Sequence, residues 1–279
     1  MKYFDSRIVL VKFFWAVLFL VMEFRRLYWL LPVHKKDKCF TIKVWDNMAV
    51  KYHHHGDIAQ LIYVQQPLVR FKKSFEYSTM SLFAKLIKPG HVIIDVGANT
   101  GLTAVLFSKF AGAEGKVFSY EPDPETFVVL NKNIQANEAG NVSTFNYALS
   151  DMESNITMQH YDPGNAAPGF SDSFNYIQKT EQTAGGLKAY PMDGLDHLNG
   201  LTKIDLVKVD VEGAELLVLK GAEQLIRKHK PVIIIELWTE WTSRFNYKPY
   251  ELIVLLSSWG YEPEEYDYAQ WIARPKSVL

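Results

Sequence analysis

The chain has 279 residues, 48% of them hydrophobic and 22% charged, with 16 glycines and 12 prolines, which excludes a disordered, fibrous or low-complexity protein. A net charge of -1 excludes a chain-wide nucleic-acid polycation, and a single cysteine, Cys39, excludes a disulfide framework or thiolate metal cluster. At about 150 residues per domain the length allows two domains, or one larger α/β domain with an extension.

Charge is unevenly spread. Residues 1–38 carry eight basic and three acidic groups, +5 net, leaving -6 on the remaining 241 residues. The first 31 residues also hold nine aromatics, and Phe13–Met22 is an unbroken apolar run of ten. Counted from Ile8, fifteen helical residues would span about 22 Å, short of the ~30 Å hydrocarbon core. No small-residue cleavage site follows, only Glu23-Phe24-Arg25-Arg26. The segment therefore reads as a hydrophobic helix lying on an anionic membrane surface through residues 1–33, with aromatics at headgroup level and basic groups toward lipid. A helix docked on protein, a spanning anchor and a cleaved signal are the alternatives. The expected location is cytoplasmic, at a membrane. Residues 1–38 are thus one unit, 39–78 an N-terminal extension and 79–279 the main domain. His53-His54-His55 point in different directions on any regular element and read as a solvated loop.

From about residue 90 strands and helices alternate. Val92–Val96 is a short apolar run, as in a buried parallel strand, and Leu102–Phe110 has helical spacing. Lys116–Tyr120 is a second strand, residues 125–137 a helix, and Asn141–Leu149 a third strand. Residues 160–190, rich in Gly, Pro, Asp, Ser and Asn, read as a long loop over the cleft. Ile204–Val209 is a fourth strand, followed by one helix over Ala214–Lys228, and Pro231–Leu237 is a fifth. Pro249 opens another helix, and Tyr261–Tyr266 with Gln270–Ala273 closes the sheet as an antiparallel pair. The pattern predicts a doubly wound, mostly parallel sheet with helices on both faces and a ligand at the carboxyl ends of the strands.

The strongest local signal is Asp95-Val96-Gly97-Ala98-Asn99-Thr100-Gly101. Gly97 and Gly101 let backbone approach a ligand, but the spacing is not the G-x-G-x-x-G of dinucleotide sites. A carboxylate directly before the turn would repel a pyrophosphate and attract an amino group or a sulfonium. Glu121, 26 residues after Asp95, ends the next strand, where an acid can accept from two ribose hydroxyls. A nucleoside with a cationic amino-acid tail, S-adenosylmethionine, fits both. Asp95, Gly97, Asn99, Gly101 and Glu121 are the expected cofactor residues. Asp151, past the third strand, is placed either at the adenine amino group or in a turn.

Three stretches resemble the FkbM family of S-adenosylmethionine-dependent methyltransferases: Ile94–Gly101, Tyr120-Glu121-Pro122-Asp123-Pro124 and Ala148-Leu149-Ser150-Asp151. The most specific likeness is Ile204–Glu215, which is similar to the family's lysine-x-aspartate-valine-glutamate-glycine-x-glutamate signature. Pro191–Leu195 also matches, with Met192 for the usual leucine. The resemblance covers about residues 75–240. It implies a Rossmann-like class I methyltransferase with a seven-stranded sheet, methylating a hydroxyl of a glycan, glycolipid or small molecule.

The residues themselves agree. Asp210 falls at the end of the fourth strand, and Lys208 shares its face and needs a carboxylate partner. Glu212 lies just beyond. Lys208, Asp210 and Glu212 are the expected catalytic group, with Asp210 or Glu212 taking the hydroxyl proton. A divalent ion held by Asp210 and Glu212 is an alternative, but no third ligand is tied to them by spacing, so no metal is assigned. Glu236 is a further candidate for the cleft. An acidic catalytic portion without a Pro-Pro-aromatic motif argues against a nucleic-acid substrate. A non-catalytic tethered module with the same fold is the other alternative. The sequence leaves the oligomeric state open.

Overall fold

The computed structural model describes residues 39–45, 48–53, 75–159, 176–179, 186–267 and 269–276. The N-terminal apolar segment, His54 and His55 lie outside the described residues, as does much of 160–190. A hairpin of β1 (Cys39–Trp45) and β2 (Met48–His53) comes first, then helix α1 (Phe75–Leu86). Next alternate β3 (Val92–Val96), α2 (Leu102–Ala111), β4 (Lys116–Tyr120), α3 (Pro124–Ala136) and β5 (Val142–Phe145). Four short strands follow: β6 (Ala148–Leu149), β7 (Ser154–Gln159), β8 (Tyr176–Lys179) and β9 (Leu187–Tyr190). After α4 (Asp196–Asn199) come β10 (Leu206–Val209), α5 (Glu215–Lys220), α6 (Glu223–His229) and β11 (Val232–Glu236). The chain ends with α7 (Thr239–Thr242), α8 (Pro249–Ser258), β12 (Tyr261–Asp267) and β13 (Gln270–Pro275).

The main sheet has seven strands in the order β12-β13-β11-β10-β3-β4-β5. Only β13 runs against its neighbours. This is the mostly parallel sheet of the sequence reading, and the strand order reverses between β3 and β10. Both faces are covered, which is why β3 and β10 are apolar on consecutive residues. Parity decides which residue meets which helix. Ile93, Leu206 and Ile234 pack under α1 and α2 through Phe83 and Phe107. Ile94, Val207, Ile233 and Ile235 pack against α5, α6 and α8 through Leu216, Ile226 and Leu252. Helix α1 spans the position of the boundary expected at 78/79.

Three elements differ from the sequence reading. The third strand breaks because the Asn146 side chain donates to the carbonyls of Glu121 (2.9 Å) and Pro122 (3.1 Å). Beyond it Ala148-Leu149, expected within the third strand, joins a separate four-stranded sheet, order β6-β9-β7-β8, of which β8 and β9 fall inside the loop expected over 160–190. The helix expected over 214–228 is two helices, interrupted at Gly221, where a Cβ would lie 1.9 Å from the Ser150 carbonyl. The Asp193 carboxylate then accepts from the amides of Gln224 and Leu225, both at 2.9 Å, and so caps α6. His53 ends a strand instead of lying in a loop.

The hairpin is fastened to α3 by side-chain amides. Asn137 accepts from Lys51 N (2.9 Å) and donates to Lys51 O (2.6 Å). Asn133 makes the same reciprocal pair with His53 and also donates to Thr100 O at 2.7 Å. Four helical residues rise about 6 Å and two strand residues about 6.6 Å, so asparagines at i and i+4 match strand residues at i and i+2. Tyr52 adds a hydrogen bond between its hydroxyl and Thr100 Oγ1 at 2.8 Å. Asn133→Ala should lower the free energy of unfolding by about 1–3 kcal/mol in urea denaturation, because it leaves buried backbone groups unpaired. Gln135→Ala, at an exposed position of the same helix, should shift it by less than about 0.5 kcal/mol.

Candidate active site

The loop after β3 passes against the end of β10 with no room for a side chain. Gly97 has φ +76, and a Cβ there would sit 1.8 Å from the Asp210 carbonyl. Asn99, also left-handed at φ 49, turns its amide onto Glu121 Oε2 at 2.9 Å. Glu121 Oε1 accepts from Asp123 N, also at 2.9 Å. Glu121 is only 7% exposed, and burial pushes its carboxyl up to about 7 against the pull of the Asp123 and Asn99 amides. A carboxylate has about four acceptor positions, so two remain for a ligand.

Beneath this loop Lys208 and Asp95 are register partners on neighbouring strands. Asp95 has no exposed surface. Lys208 Nζ donates to Gly97 O at 2.9 Å and lies 3.2 Å from Asp210 Oδ2 and 3.5 Å from Asp95 Oδ1. Burial would lower the lysine's pKa, but Asp210 and Asp95 outweigh it and hold it above its ordinary value. Burial pushes Asp95 up against the attraction of Lys208. The carboxylate expected to meet a cationic ligand directly is thus set behind the loop, facing an internal ammonium.

The turn after β10 is held by a residue the sequence reading left without a role. Glu215 is 1% exposed; its Oε1 accepts from Gly213 N (2.9 Å) and Val211 N (3.3 Å), and its Oε2 from the Tyr247 hydroxyl (2.9 Å). Burial raises Glu215 to about 7 even against these donors. The brace fixes Glu212 at φ 56 and Gly213 at φ 113, where a Cβ would lie 2.5 Å from Trp241 O. Its position in the Ile204–Glu215 signature is the signal that could have found it. Glu212 Oε2 is buried without a hydrogen-bond partner. Burial first, then the charges of Asp210, Glu236 and Glu215, raise this carboxyl well above its usual range, with Arg244 opposing.

One cleft brings together Gly97, Asn99, Glu121, Asp210 and Glu212. Asp95, Lys208, Gly101 and Asp151 do not line it; Asp151 accepts from the Ser150 hydroxyl at 3.0 Å. Tyr147 and Met158, which sequence reasoning missed, form part of its apolar wall with Pro122 and Leu149. Among the described residues the lining has no lysine or arginine, so a pyrophosphate would find no cation there. S-adenosylmethionine fits these residues: an apolar wall for the base, Glu121 for the ribose, and carboxylates with an unpartnered oxygen for the cationic end. Among the described residues no three His, Cys, Asp or Glu side chains group as metal ligands.

The model of the methyltransferase FkbM domain matches residues 95–263. This chain belongs to the FkbM methyltransferase family. It is 30% identical to methyltransferase sdnD of Sordaria araneosa, over 52% of this chain and 66% of that protein. It is 31% identical to hexuronic acid methyltransferase AglP of Haloferax volcanii, over 57% of this chain and 61% of that protein. It is 27% identical to 2-O-methyltransferase NoeI of Sinorhizobium fredii, over 60% and 74%. The chain thus spans a little under two thirds of the length of the first two of these relatives.

A ribose held by Glu121 needs the carboxylate ionised. Adenosine, which carries no ammonium group, should therefore bind about tenfold more weakly at pH 6 than at pH 8, since the free carboxyl takes up its proton as pH falls through about 7. Calorimetry checks this, and Glu121→Gln should weaken binding at pH 8 and flatten the profile.

Proposed function

We propose that this chain transfers a methyl group from S-adenosylmethionine to a hydroxyl of a glycan, glycolipid or small-molecule acceptor. The observation that carries the reading is Asp210, which stands in the cofactor cleft at the point where the strand order reverses, 3.2 Å from a buried lysine. The name of AglP, a hexuronic acid methyltransferase, supports a sugar-derived acceptor, and that of NoeI, a 2-O-methyltransferase, supports an oxygen as the methylated atom.

When bound, S-adenosylmethionine supplies an electrophilic methyl on a positively charged sulfur. The chain's own residues do the rest. Glu121 takes the ribose hydroxyls, and the loop Gly97–Gly101 shapes the cleft for the amino-acid tail. Asp95 is a positioning residue: through Lys208 it holds both Gly97 O and the Asp210 carboxylate in place. Asp151 stays outside the cleft wall in this reading, and Leu149 with Tyr147 borders the base. Asp210 accepts the hydrogen bond of the acceptor hydroxyl and aims its oxygen at the methyl. The hydroxyl proton released as the methyl is transferred would pass to Asp210, with Glu212 beside it in the same cleft able to share it.

Residues 1–33 support a seat on an anionic membrane, since basic and aromatic groups alternate with an apolar run there. No helix of the described residues is long and apolar enough to cross a membrane. A cytoplasmic enzyme working at that surface is the reading these features favour.

Asp210→Asn should lower incorporation of isotope-labelled methyl into cell-extracted glycans and glycolipids about 100-fold or more, while S-adenosylmethionine affinity by calorimetry changes less than about threefold. Undiminished incorporation by the variant would overturn the role given to Asp210.

A further inference from the structure

A second cleft opens on the α1/α2 side of the sheet. Its polar groups are Thr79, Thr103, Lys208, Asp210, Glu236 and Gln270, over an apolar floor of Phe83 and Ile234. It shares one residue with the cofactor cleft, Asp210. The cleft exists because parity puts Lys208 and Glu236 on the same face as Leu206 and Ile234, one step nearer the carboxyl ends of the strands. The apolar packing under α1 stops at that step. Gln270, the antiparallel partner of Glu236, completes the polar end.

Resting on the methyltransferase reading above, we propose that this second cleft seats the acceptor, and that it takes an uncharged, hydroxyl-bearing ring edge and refuses one that carries a carboxylate or phosphate. Position supports the first half. A residue bordering both cofactor and acceptor must sit where the two clefts meet, and Asp210 does. The lining supports the second half. Thr103 and Gln270 offer hydroxyl and amide groups that both donate and accept, as vicinal sugar hydroxyls require. Glu236, whose Oε1 accepts from Trp238 Nε1 at 3.0 Å, adds a carboxylate.

Among the described residues the single cation in the lining is already shared: Lys208 Nζ donates to Gly97 O at 2.9 Å and lies 3.2 Å from Asp210 and 3.5 Å from Asp95. An entering anion would meet Asp210 and Glu236 against this one ammonium, and like charges brought together out of water repel strongly. The acceptor class therefore differs from the hexuronic acid that AglP's name records.

The test uses the full chain saturated with S-adenosylhomocysteine. Probes are the methyl glycosides of glucose, galactose and mannose and the matching methyl hexuronates, read by saturation-transfer NMR. Neutral glycosides should bind and the hexuronates about tenfold more weakly or worse. Thr103→Phe, which fills the cleft, should abolish the neutral signal while S-adenosylhomocysteine affinity stays within about twofold. Gln270→Lys, which adds a free ammonium, should bring hexuronate binding up to that of the neutral sugars, and it serves as the test where Thr103→Phe does not fold. Equal binding of both classes by the unsubstituted chain, survival of the neutral signal in Thr103→Phe, or no sugar binding to the cofactor-loaded chain would each overturn the proposal. Failure of S-adenosylhomocysteine to bind the unsubstituted chain would instead overturn the cofactor reading on which it rests.

Discussion

The buried ammonium of Lys208 ties the two halves of the sheet together at the site. It sits on β10, pairs with Asp95 on β3 and Asp210 at its own strand end, and donates to the carbonyl of Gly97. A charge with so little exposure survives only with partners, and removing one from a buried pair typically costs about 3–5 kcal/mol. The same contacts fix the Gly97 loop and the Asp210 carboxylate, which line one cleft. Neither can shift without disturbing the other, because one nitrogen holds both.

Around that point the sheet sorts chemistry by parity. Residues one apart on β10 belong to different cores: Val207 to the side of α5, α6 and α8, Leu206 to the side of α1 and α2. Continuing the second set to the strand ends brings Lys208 on β10 and Glu236 on β11 to the same side as Asp95 on β3. A polar end to an apolar face leaves a hollow under α1 that packing alone would have filled. The two clefts meet at Asp210 because that residue lies just beyond the last paired position of β10, where the backbone leaves the sheet.

The turn beyond Asp210 shows how much structure a reactive group demands. Glu212 has a backbone conformation that non-glycine residues avoid. Glu215 makes it stable by accepting from the amides of Val211 and Gly213 from inside the fold, and the Tyr247 hydroxyl donates to its other oxygen. The hairpin at the other edge works similarly: Asn133 and Tyr52 reach Thr100, so a remote β-ribbon steadies the loop that begins at Gly97.

Much of this was legible in the sequence. Short apolar runs alternating with helical spacing gave the parallel sheet, because strands covered on both faces need apolar residues at every position. The acids at strand ends, Asp95, Glu121 and Asp210, could be placed from the strands they terminate, and the Ile204–Glu215 signature marked the family. Tertiary structure alone decided the rest. The break at Asn146 depends on carbonyls 24 and 25 residues away, and the break at Gly221 on the approach of Ser150. Whether Asp95 faces a ligand or Lys208 depends on the register between β3 and β10, which hydrogen bonds between distant segments set. Local pattern carries strand identity; it does not carry which strand lies alongside, and the position of every charge in this site follows from that neighbour.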